Sequence, residues 1–162
     1  MIILGIDPGY DRLGIAIIDK QPKLKEKLIY STCLTSNKKD NFPDRLKTLG
    51  LDFKKILDSY SIDLVNIESV FIANNKKTAM KIGEVRGMLI FLCASNNIPV
   101  IEMTPLEIKM AITGFGNASK DQIMKMAKML ISIPPEVKLD DEFDAIVIAL
   151  AGLSKNIHLL RS

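Results

Sequence analysis

The chain has 162 residues, of which 48% are apolar and 25% are charged, and its formal net charge is +3. This composition is ordinary for a soluble globular protein, and it excludes disordered, coiled-coil and collagen-like chains. A length of this order leaves room for one domain, so we expect residues 1–162 to form a single domain. The small positive charge permits a nucleic-acid partner but does not by itself predict one.

Several classes of site are excluded by residue usage. The only histidine is His158, so a histidine-based zinc site or a Ser-His-Asp triad is not expected. Cys33 and Cys93 lie far apart in the sequence and fit reduced core thiols in a cytosolic protein. The longest apolar run, Ala145–Leu153, is about half of the ~20 residues that span a bilayer, so we expect a cytoplasmic protein without a membrane partner.

Hydrophobic periodicity and turn residues predict a mixed sheet with helices packed on it. Three short-linked strands come first and should form an antiparallel meander, and the later strands alternate with helices. The second helix shows apolar positions at helical spacing, Met80, Val85, Met88, Leu89 and Leu92, which should face the core. In chain order the predicted elements are strands Met1–Ile6, Gly14–Ile18 and Lys27–Thr35, helix Asp44–Tyr60, strand Leu64–Ile67, helix Lys76–Ser95, strand Pro99–Glu102, and helices Pro105–Ile112, Lys120–Leu130 and Asp141–Leu153.

The charge is unevenly distributed along the chain. Residues 71–130 carry eight Lys and Arg against four Asp and Glu, whereas residues 131–162 carry three against five. The middle of the chain is therefore basic, and the predicted last helix begins in an acidic segment.

Two of the predicted buried strands end in a carboxylate. Asp7 follows the first strand, and Glu68 follows the Leu64–Ile67 strand. An aspartate in an Asp-Pro-Gly turn is common, and a glutamate between apolar residues often points to solvent, so each has an ordinary structural interpretation. Both would nevertheless lie at strand ends, where functional carboxylates can meet.

A third group of acids lies at residues 140–144, where four of five positions are acidic. Negative charge at a helix start suits the helix dipole, which accounts for the group as a whole. Asp141 and Asp144, however, share one helical face, and Asp144 leads into small residues that should pack closely on the sheet. Carboxylates clustered in this way favour a hard divalent cation such as Mg²⁺ or Mn²⁺, and a pair of such ions is used by nucleases.

Five segments form a recognisable pattern, and they are Gly5-Ile6-Asp7-Pro8-Gly9, Ile67-Glu68-Ser69-Val70-Phe71, residues 79–87, residues 104–122, and Asp141-Glu142-Phe143-Asp144-Ala145. Taken together, these segments resemble RuvC-type Holliday-junction resolvases. They occur in the family's order and cover nearly the whole chain. Asp140 competes with Asp141 for the third acidic position, and we prefer Asp141 because the Asp144-Ala145 register fixes it.

The resemblance implies a ribonuclease-H-like α/β fold, with a mixed five-stranded sheet in which an antiparallel meander is followed by parallel strands and flanked by helices. It implies a homodimer that nicks two opposed strands of a four-way DNA junction, with one or two Mg²⁺ ions per subunit and Mn²⁺ able to substitute. The products would carry 5′-phosphate and 3′-hydroxyl ends. A junction-branch-migration helicase complex is the implied partner. Another ribonuclease-H-like nuclease acting on structured RNA or DNA is the alternative.

The resemblance also assigns roles to individual residues. Asp7, Glu68, Asp141 and Asp144 would hold the metal, and Lys120 would stabilise charge on the phosphate as a further catalytic residue. Phe71 would stack at the junction, although a core position is its ordinary alternative. Lys109 would stabilise phosphate charge together with Lys120. The remaining candidate DNA contacts have a turn residue or a solvated helix face as their alternative, and they are Asn74, Asn75, Lys76, Lys77, Lys81 and Arg86.

Gly83 and Gly87 lie four residues apart on the second predicted helix. Such a pair lets another helix approach closely, either across a dimer interface or within one subunit.

Overall fold

A five-stranded mixed sheet forms the centre of the computed structural model of the protein, which describes residues 1–69 and 76–156. The strand order is β3-β2-β1-β4-β5. The strands are β1 (Ile2–Asp7), β2 (Arg12–Asp19), β3 (Lys27–Thr35), β4 (Leu64–Glu68) and β5 (Val100–Met103), and the helices are α1 (Phe42–Ser59), α2 (Lys76–Ser95), α3 (Pro105–Thr113), α4 (Lys120–Leu130) and α5 (Asp140–Asn156).

The predicted order of elements and the mixed sheet are confirmed. Strands β1, β2 and β3 form the antiparallel meander, and β4 and β5 add in parallel on the other side of β1. Strand β1 is buried in the middle of the sheet, which is why its sequence is continuously apolar rather than alternating. The predicted and observed boundaries differ by at most three residues, and β3, α2 and α4 agree at both ends.

Two apolar clusters lie on opposite faces of the sheet. One packs helix α5, together with α3 and α4, against residues such as Ile3 and Ala16. The other packs α1 and α2 against residues such as Leu4 and Ile17. Successive residues of a strand point to opposite faces, so one apolar strand supplies both clusters.

Helix α5 lies unusually close to the sheet because glycines face it. A Cβ atom at Gly5 would overlap the carbonyl of Ala145, and a Cβ atom at Gly14 would overlap the carbonyl of Asp141. Without side chains at these positions, the first turns of α5 reach the end of β1. The fold thereby brings an acidic helix start to the sheet edge where Asp7 lies.

Helix α2 corrects one prediction. Val85 and Leu89 are buried as expected, but the Met80 residue is 67% exposed and does not face the core. Periodicity places Met80 near the apolar stripe, yet only the later turns of α2 cover the sheet. Cys33 and Cys93 are both unpaired, with Cys93 buried and Cys33 half-buried. Among the described helices, none combines the length and apolar character needed to cross a bilayer.

Candidate active site

Asp7 and Glu68 lie side by side at one edge of the sheet. Each is the last residue of its strand, and β1 and β4 are parallel neighbours in which Ile6 pairs with Ile67. The carboxyl ends of parallel neighbours meet at the same sheet edge, so the pairing register alone brings these two carboxylates together.

Helix α5 adds Asp141 and Asp144 to the same edge. Its close approach at Gly14 places the backbone of Asp141 directly over β2, beside the Asp7 Cβ atom. The side chains of Asp141 and Asp144 are 22% and 42% exposed, so both are partly withdrawn from water. The structure therefore brings together the four carboxylates that the sequence singled out.

The carboxylates perturb one another electrostatically. Burial, followed by the charges of Glu68, Asp144 and Asp141, raises the pKa of Asp7 from 3.8 to about 7. Burial and the charge of Asp144 raise the pKa of Glu68. Burial also raises the pKa of Asp144, against the opposing effect of Lys120. A shift of this kind at a clustered site indicates negative charge that a cation would stabilise.

Two protein cations already lie against the helix α5 acids. The Lys120 Nζ atom is 3.3 Å from an Asp140 oxygen and 3.5 Å from an Asp144 oxygen. The Arg12 Nε atom is 3.1 Å from Asp141 Oδ2. The Asp140 side chain is 74% exposed, so its carboxylate faces water, whereas the Asp141 side chain is 22% exposed.

The residues present fit a hard divalent cation. All four carboxylates offer oxygen ligands, and the buried Asp141 Oδ2 atom accepts no hydrogen bond from the described residues. Within the described ranges, no three acidic, histidine or cysteine side chains converge closely enough to form a ready-made metal-binding group. Two of the carboxylates are instead paired with cations, Asp141 with Arg12 and Asp144 with Lys120.

Two clefts flank the four carboxylates. The first, which we name the apolar cleft, has a volume of about 270 Å³ and lies between β4 and helices α3, α4 and α5. Its lining comprises Glu68, Pro105, Ile108, Lys109, Lys120, Ile123, Phe143, Asp144, Val147 and Ile148. The second, which we name the polar cleft, has a volume of about 610 Å³. Its lining comprises Gly9, Tyr10, Asp11, Arg12, Thr35, Ser36, Lys38, Ile82 and Asp141.

A buried arginine holds the turn that follows Asp7. The Arg45 side chain is 8% exposed, and its guanidinium donates hydrogen bonds to the Tyr10 carbonyl and the Ser36 hydroxyl, each at 2.9 Å. It also pairs with the Asp11 carboxylate and thereby lowers the pKa of Asp11. Helix α1 thus fixes the turn that forms one wall of the polar cleft.

The structure places the predicted DNA contacts in different environments. Phe71, Asn74 and Asn75 lie outside the described residues, as do the side chains of Lys76 and Lys77. Lys109 lines the apolar cleft, with Lys120.

Two further predicted DNA contacts, Lys81 and Arg86, make contacts with other side chains and backbone groups of the protein. The Lys81 Nζ atom lies 5.0 Å from the centroid of the Tyr10 ring. Arg86 is only 11% exposed and donates to the Glu68 carbonyl at 2.8 Å, while it also pairs with Glu102. Arg86 therefore joins α2 to the ends of β4 and β5, and its role as a DNA contact stays a prediction. The position of Arg86 in the basic part of α2 does not predict that its side chain is largely buried.

Sequence reasoning missed Arg12 and Arg45. Arg12 shares a strand face with Gly14, two residues later, and that face lies against α5. Strand alternation could have identified Arg12 only if the position of α5 had been known. Arg45 had no sequence signal, since its partners Tyr10, Asp11 and Ser36 come from separate loops.

Comparison with known proteins adds evidence from the whole chain. The family model described as "Crossover junction endodeoxyribonuclease RuvC" matches residues 3–152. Proteins of that name are similar to this chain in Petrotoga mobilis, with 36% identity over 149 residues, and in Caldicellulosiruptor saccharolyticus, with 37% identity over 160 residues. These alignments cover 92% and 99% of this chain and 91% and 96% of the respective relatives.

Solved structures show the same fold. RuvC from Thermus thermophilus, determined in complex with a Holliday junction substrate, superposes with a TM-score of 0.89 at 22% identity, covering 96% of this chain and 94% of that one. The yeast mitochondrial Holliday junction resolvase superposes with a TM-score of 0.74 at 16% identity, covering 98% and 80%. At these identities the likeness establishes the ribonuclease-H-like fold.

Proposed function

The chain belongs to the crossover junction endodeoxyribonuclease RuvC family, and we propose that it resolves four-way DNA junctions by nicking two opposed strands. The observation that carries the proposal is the cluster of Asp7, Glu68, Asp141 and Asp144, in which burial together with the neighbouring charges raises the pKa of Asp7 to about 7. Such a cluster has no role in stabilising the fold, because buried like charges destabilise it. It is suited to phosphodiester hydrolysis with a bound divalent cation.

The proposed metal ligands are the four carboxylates, and Mg²⁺ is the proposed ion, with Mn²⁺ able to substitute and one or two ions per subunit. A bound divalent cation supplies an activated water and neutralises charge on the scissile phosphate, so that hydrolysis leaves 5′-phosphate and 3′-hydroxyl ends. Asp7 lies between the other acids and is deprotonated when the cation binds. The buried Asp141 Oδ2 atom accepts no hydrogen bond from the described residues, and its ion pair with Arg12 would give way to the cation.

Lys120 is the proposed phosphate-positioning group. Its ammonium is half-exposed, and the charges of Asp144 and Asp140 raise its pKa despite the opposing effect of partial burial. It is therefore cationic at neutral pH and can hold a phosphate oxygen over the carboxylates. Because Lys120 already pairs with Asp144, arrival of the cation and of DNA would free its ammonium for the phosphate.

We propose that the chain works as a homodimer through the exposed face of α2. Met80 and Phe91 are each 67% exposed there, and Gly83 and Gly87 lie between them along the same face. A Cβ atom at either glycine would meet no described atom within 4 Å, so neither glycine serves close packing within the described part of the subunit. Two strands must be cut, and a symmetric pair supplies two identical sites.

The dimer surface can be tested at Phe91. The Phe91→Glu variant is expected to sediment as a monomer and to lose paired nicking. Met129→Glu is the matched control, because Met129 is 71% exposed on α4. A dimeric Phe91→Glu protein would place the interface elsewhere.

By family membership we also propose that the protein acts in the cytoplasm, in a single domain, beside a helicase complex that moves the junction. Co-purification of such a complex on immobilised junction DNA, with and without the protein, tests that partnership.

The central experiment compares substrates and one variant. We expect purified protein with Mg²⁺ to nick a labelled four-way junction symmetrically, but not a linear duplex or an RNA–DNA hybrid. Asp7→Asn should bind the junction while its nicking falls at least about a thousandfold. Asp58→Asn removes a carboxylate that is 53% exposed on α1 and should nick normally. Preferred cleavage of the hybrid, or an active Asp7→Asn variant, would contradict the proposal.

A further inference from the structure

We propose that the apolar cleft binds one nucleobase of the strand being cut, at a nucleotide adjacent to the scissile phosphate. The inference rests on the proposed junction-cleaving function and specifies part of its substrate recognition. The cleft would make the enzyme read the shape and apolar surface of a base, in addition to the phosphates.

The position of the cleft relative to the carboxylates supports this assignment. Glu68 and Asp144 belong both to the carboxylate cluster and to the lining of the cleft. A phosphate held over the carboxylates therefore has its neighbouring nucleotide at the cleft mouth. No step of phosphodiester hydrolysis needs apolar surface there, so the cleft is unexplained by the chemistry alone.

The walls of the cleft match a base in size and character. Ile108, Ile123 and Val147 supply apolar surface from three different helices, around a volume of about 270 Å³. A single nucleobase has apolar faces and fits such a volume, whereas a base pair does not. Binding sites for small planar ligands are commonly concave and mostly apolar, with a few polar groups that fix orientation.

The charges around the cleft match the rest of a nucleotide. Lys109 and Lys120 contribute two cationic side chains to the lining, on helices α3 and α4. A nucleotide presents an anionic phosphate on each side of its base, so ammonium groups beside an apolar pocket complement both of its parts. The polar cleft also has cations, Arg12 and Lys38, but among its lining residues only Tyr10 and Ile82 carry a large apolar side chain.

The two helices that carry the lysines are fixed at their starts. Thr104 and Glu107 form a capping box at the start of α3, and Ser119 and Gln122 form another at the start of α4. Each box satisfies backbone N–H groups that would otherwise lack partners. The cleft is therefore formed before DNA binds, and a base entering it does not have to order these helices.

A base can reach the cleft only if it leaves its stack. Leaving the stack costs free energy in a duplex, and it costs least where the continuous stack of base pairs is already interrupted. The centre of a four-way junction offers such nucleotides, and a linear duplex does not. The cleft would therefore make the cleavage step, and not only DNA binding, selective for junctions.

The experiment uses junctions in which one nucleotide lacks its base. An abasic residue is placed immediately 5′ or immediately 3′ of the scissile phosphate, and single-turnover nicking is measured with wild-type protein. At one of these two positions we expect nicking to slow about tenfold, the scale of one lost base contact. This arm needs no variant, so it does not depend on the folding of a substituted protein.

Filling the cleft provides the second arm. Ile123→Trp should slow nicking of the intact junction about tenfold and should cause no further slowing on the abasic junction. Met129→Trp is the matched control on the same helix, at a side chain that is 71% exposed, and should leave both rates unchanged.

The outcomes are separable. If neither abasic position slows the wild-type protein, or if Ile123→Trp slows intact and abasic junctions by the same factor, the base-binding assignment is overturned. If wild-type protein fails to nick the intact junction at all, the proposed function itself fails. The proposal is supported if removing the base at one position slows the wild-type protein and if Ile123→Trp causes no further slowing on that abasic junction.

Discussion

The apolar cleft and the polar cleft share the carboxylate cluster but differ in what they present to a substrate. The apolar cleft combines aliphatic walls with Lys109 and Lys120, whereas the polar cleft presents Arg12 and Lys38 among turn and backbone groups. The Lys38 side chain is 77% exposed, and that of Arg12 is 53% exposed. Under the proposed function, a phosphate at this sheet edge would therefore lie between one cleft with aliphatic walls and another with exposed cations.

The largest expected effect tests whether the carboxylates between the clefts are poised for a cation. The Asp7 pKa of about 7 lies above the value of 3.8 in an unfolded chain. Between pH 3.8 and about pH 7, the Asp7 carboxylate therefore takes up a proton when the chain folds. The protonated form stabilises the fold below about pH 4, and this contribution is lost as pH rises through 7. The shift corresponds to a cost on the order of 4 kcal/mol for the charged form.

Without divalent metal, Asp7→Asn should therefore raise the free energy of unfolding at pH 8 by about 2–4 kcal/mol, and hardly change it at pH 4. Urea denaturation at both pH values measures this. Added Mg²⁺ should reduce the difference, because the cation stabilises only the wild-type cluster. Equal free energies of unfolding for wild type and Asp7→Asn at pH 8 would mean that the charged Asp7 carboxylate does not destabilise the folded state.

A rate effect is expected at the apolar cleft. Lys120→Ala removes the ammonium beside Asp144 and should lower the single-turnover nicking rate about a hundredfold, with a smaller change in junction affinity. Asp140→Asn is the control, because Asp140 also pairs with Lys120 but its side chain is 74% exposed. Its rate should stay within about twofold of wild type. A larger loss in the control than in Lys120→Ala would shift the third acidic position to Asp140.

The smallest effect is expected at the polar cleft, and on binding. Arg12→Ala should weaken junction affinity by about five- to tenfold and lower the salt dependence of binding by about one phosphate contact. Binding titrations of an Asp7→Asn background at several salt concentrations measure this without cleavage. Lys54→Ala, on the exposed side of α1, serves as the charge-matched control. If Arg12→Ala instead lowered the nicking rate at saturating enzyme and left junction affinity unchanged, the polar cleft would act on the rate as the apolar cleft does, and the distinction between the two clefts would fail.

Much of the site could be predicted because its signals are local. Continuous apolar runs that end in Asp7 and Glu68 identify both buried strands and their carboxylate ends. The helical spacing of Asp141 and Asp144 places them on one face. Parallel pairing of β1 and β4 then brings Asp7 and Glu68 to one edge of the sheet, whereas the glycine-lined approach that adds the α5 acids depends on the tertiary structure.

Other features depend on contacts between distant segments. The same basic segment supplied Lys109, which lines a cleft, and Arg86, which is buried against the Glu68 carbonyl. Both were predicted as DNA contacts, since a charge in a sequence carries no information on its exposure. Met80 was expected in the core because its spacing fits the helix, although the residue is 67% exposed.

The sequence by itself determined the order of elements, the buried strands and the residue types of the acidic cluster, because strand and helix periodicities are properties of neighbouring residues. The tertiary structure alone decided the Arg12–Asp141 pair, the Arg45 anchor and the two clefts. Each of these arises where side chains far apart in the chain share one small volume. Their distances and burial depend on how closely α5 packs on the sheet, and that packing is set by the whole fold.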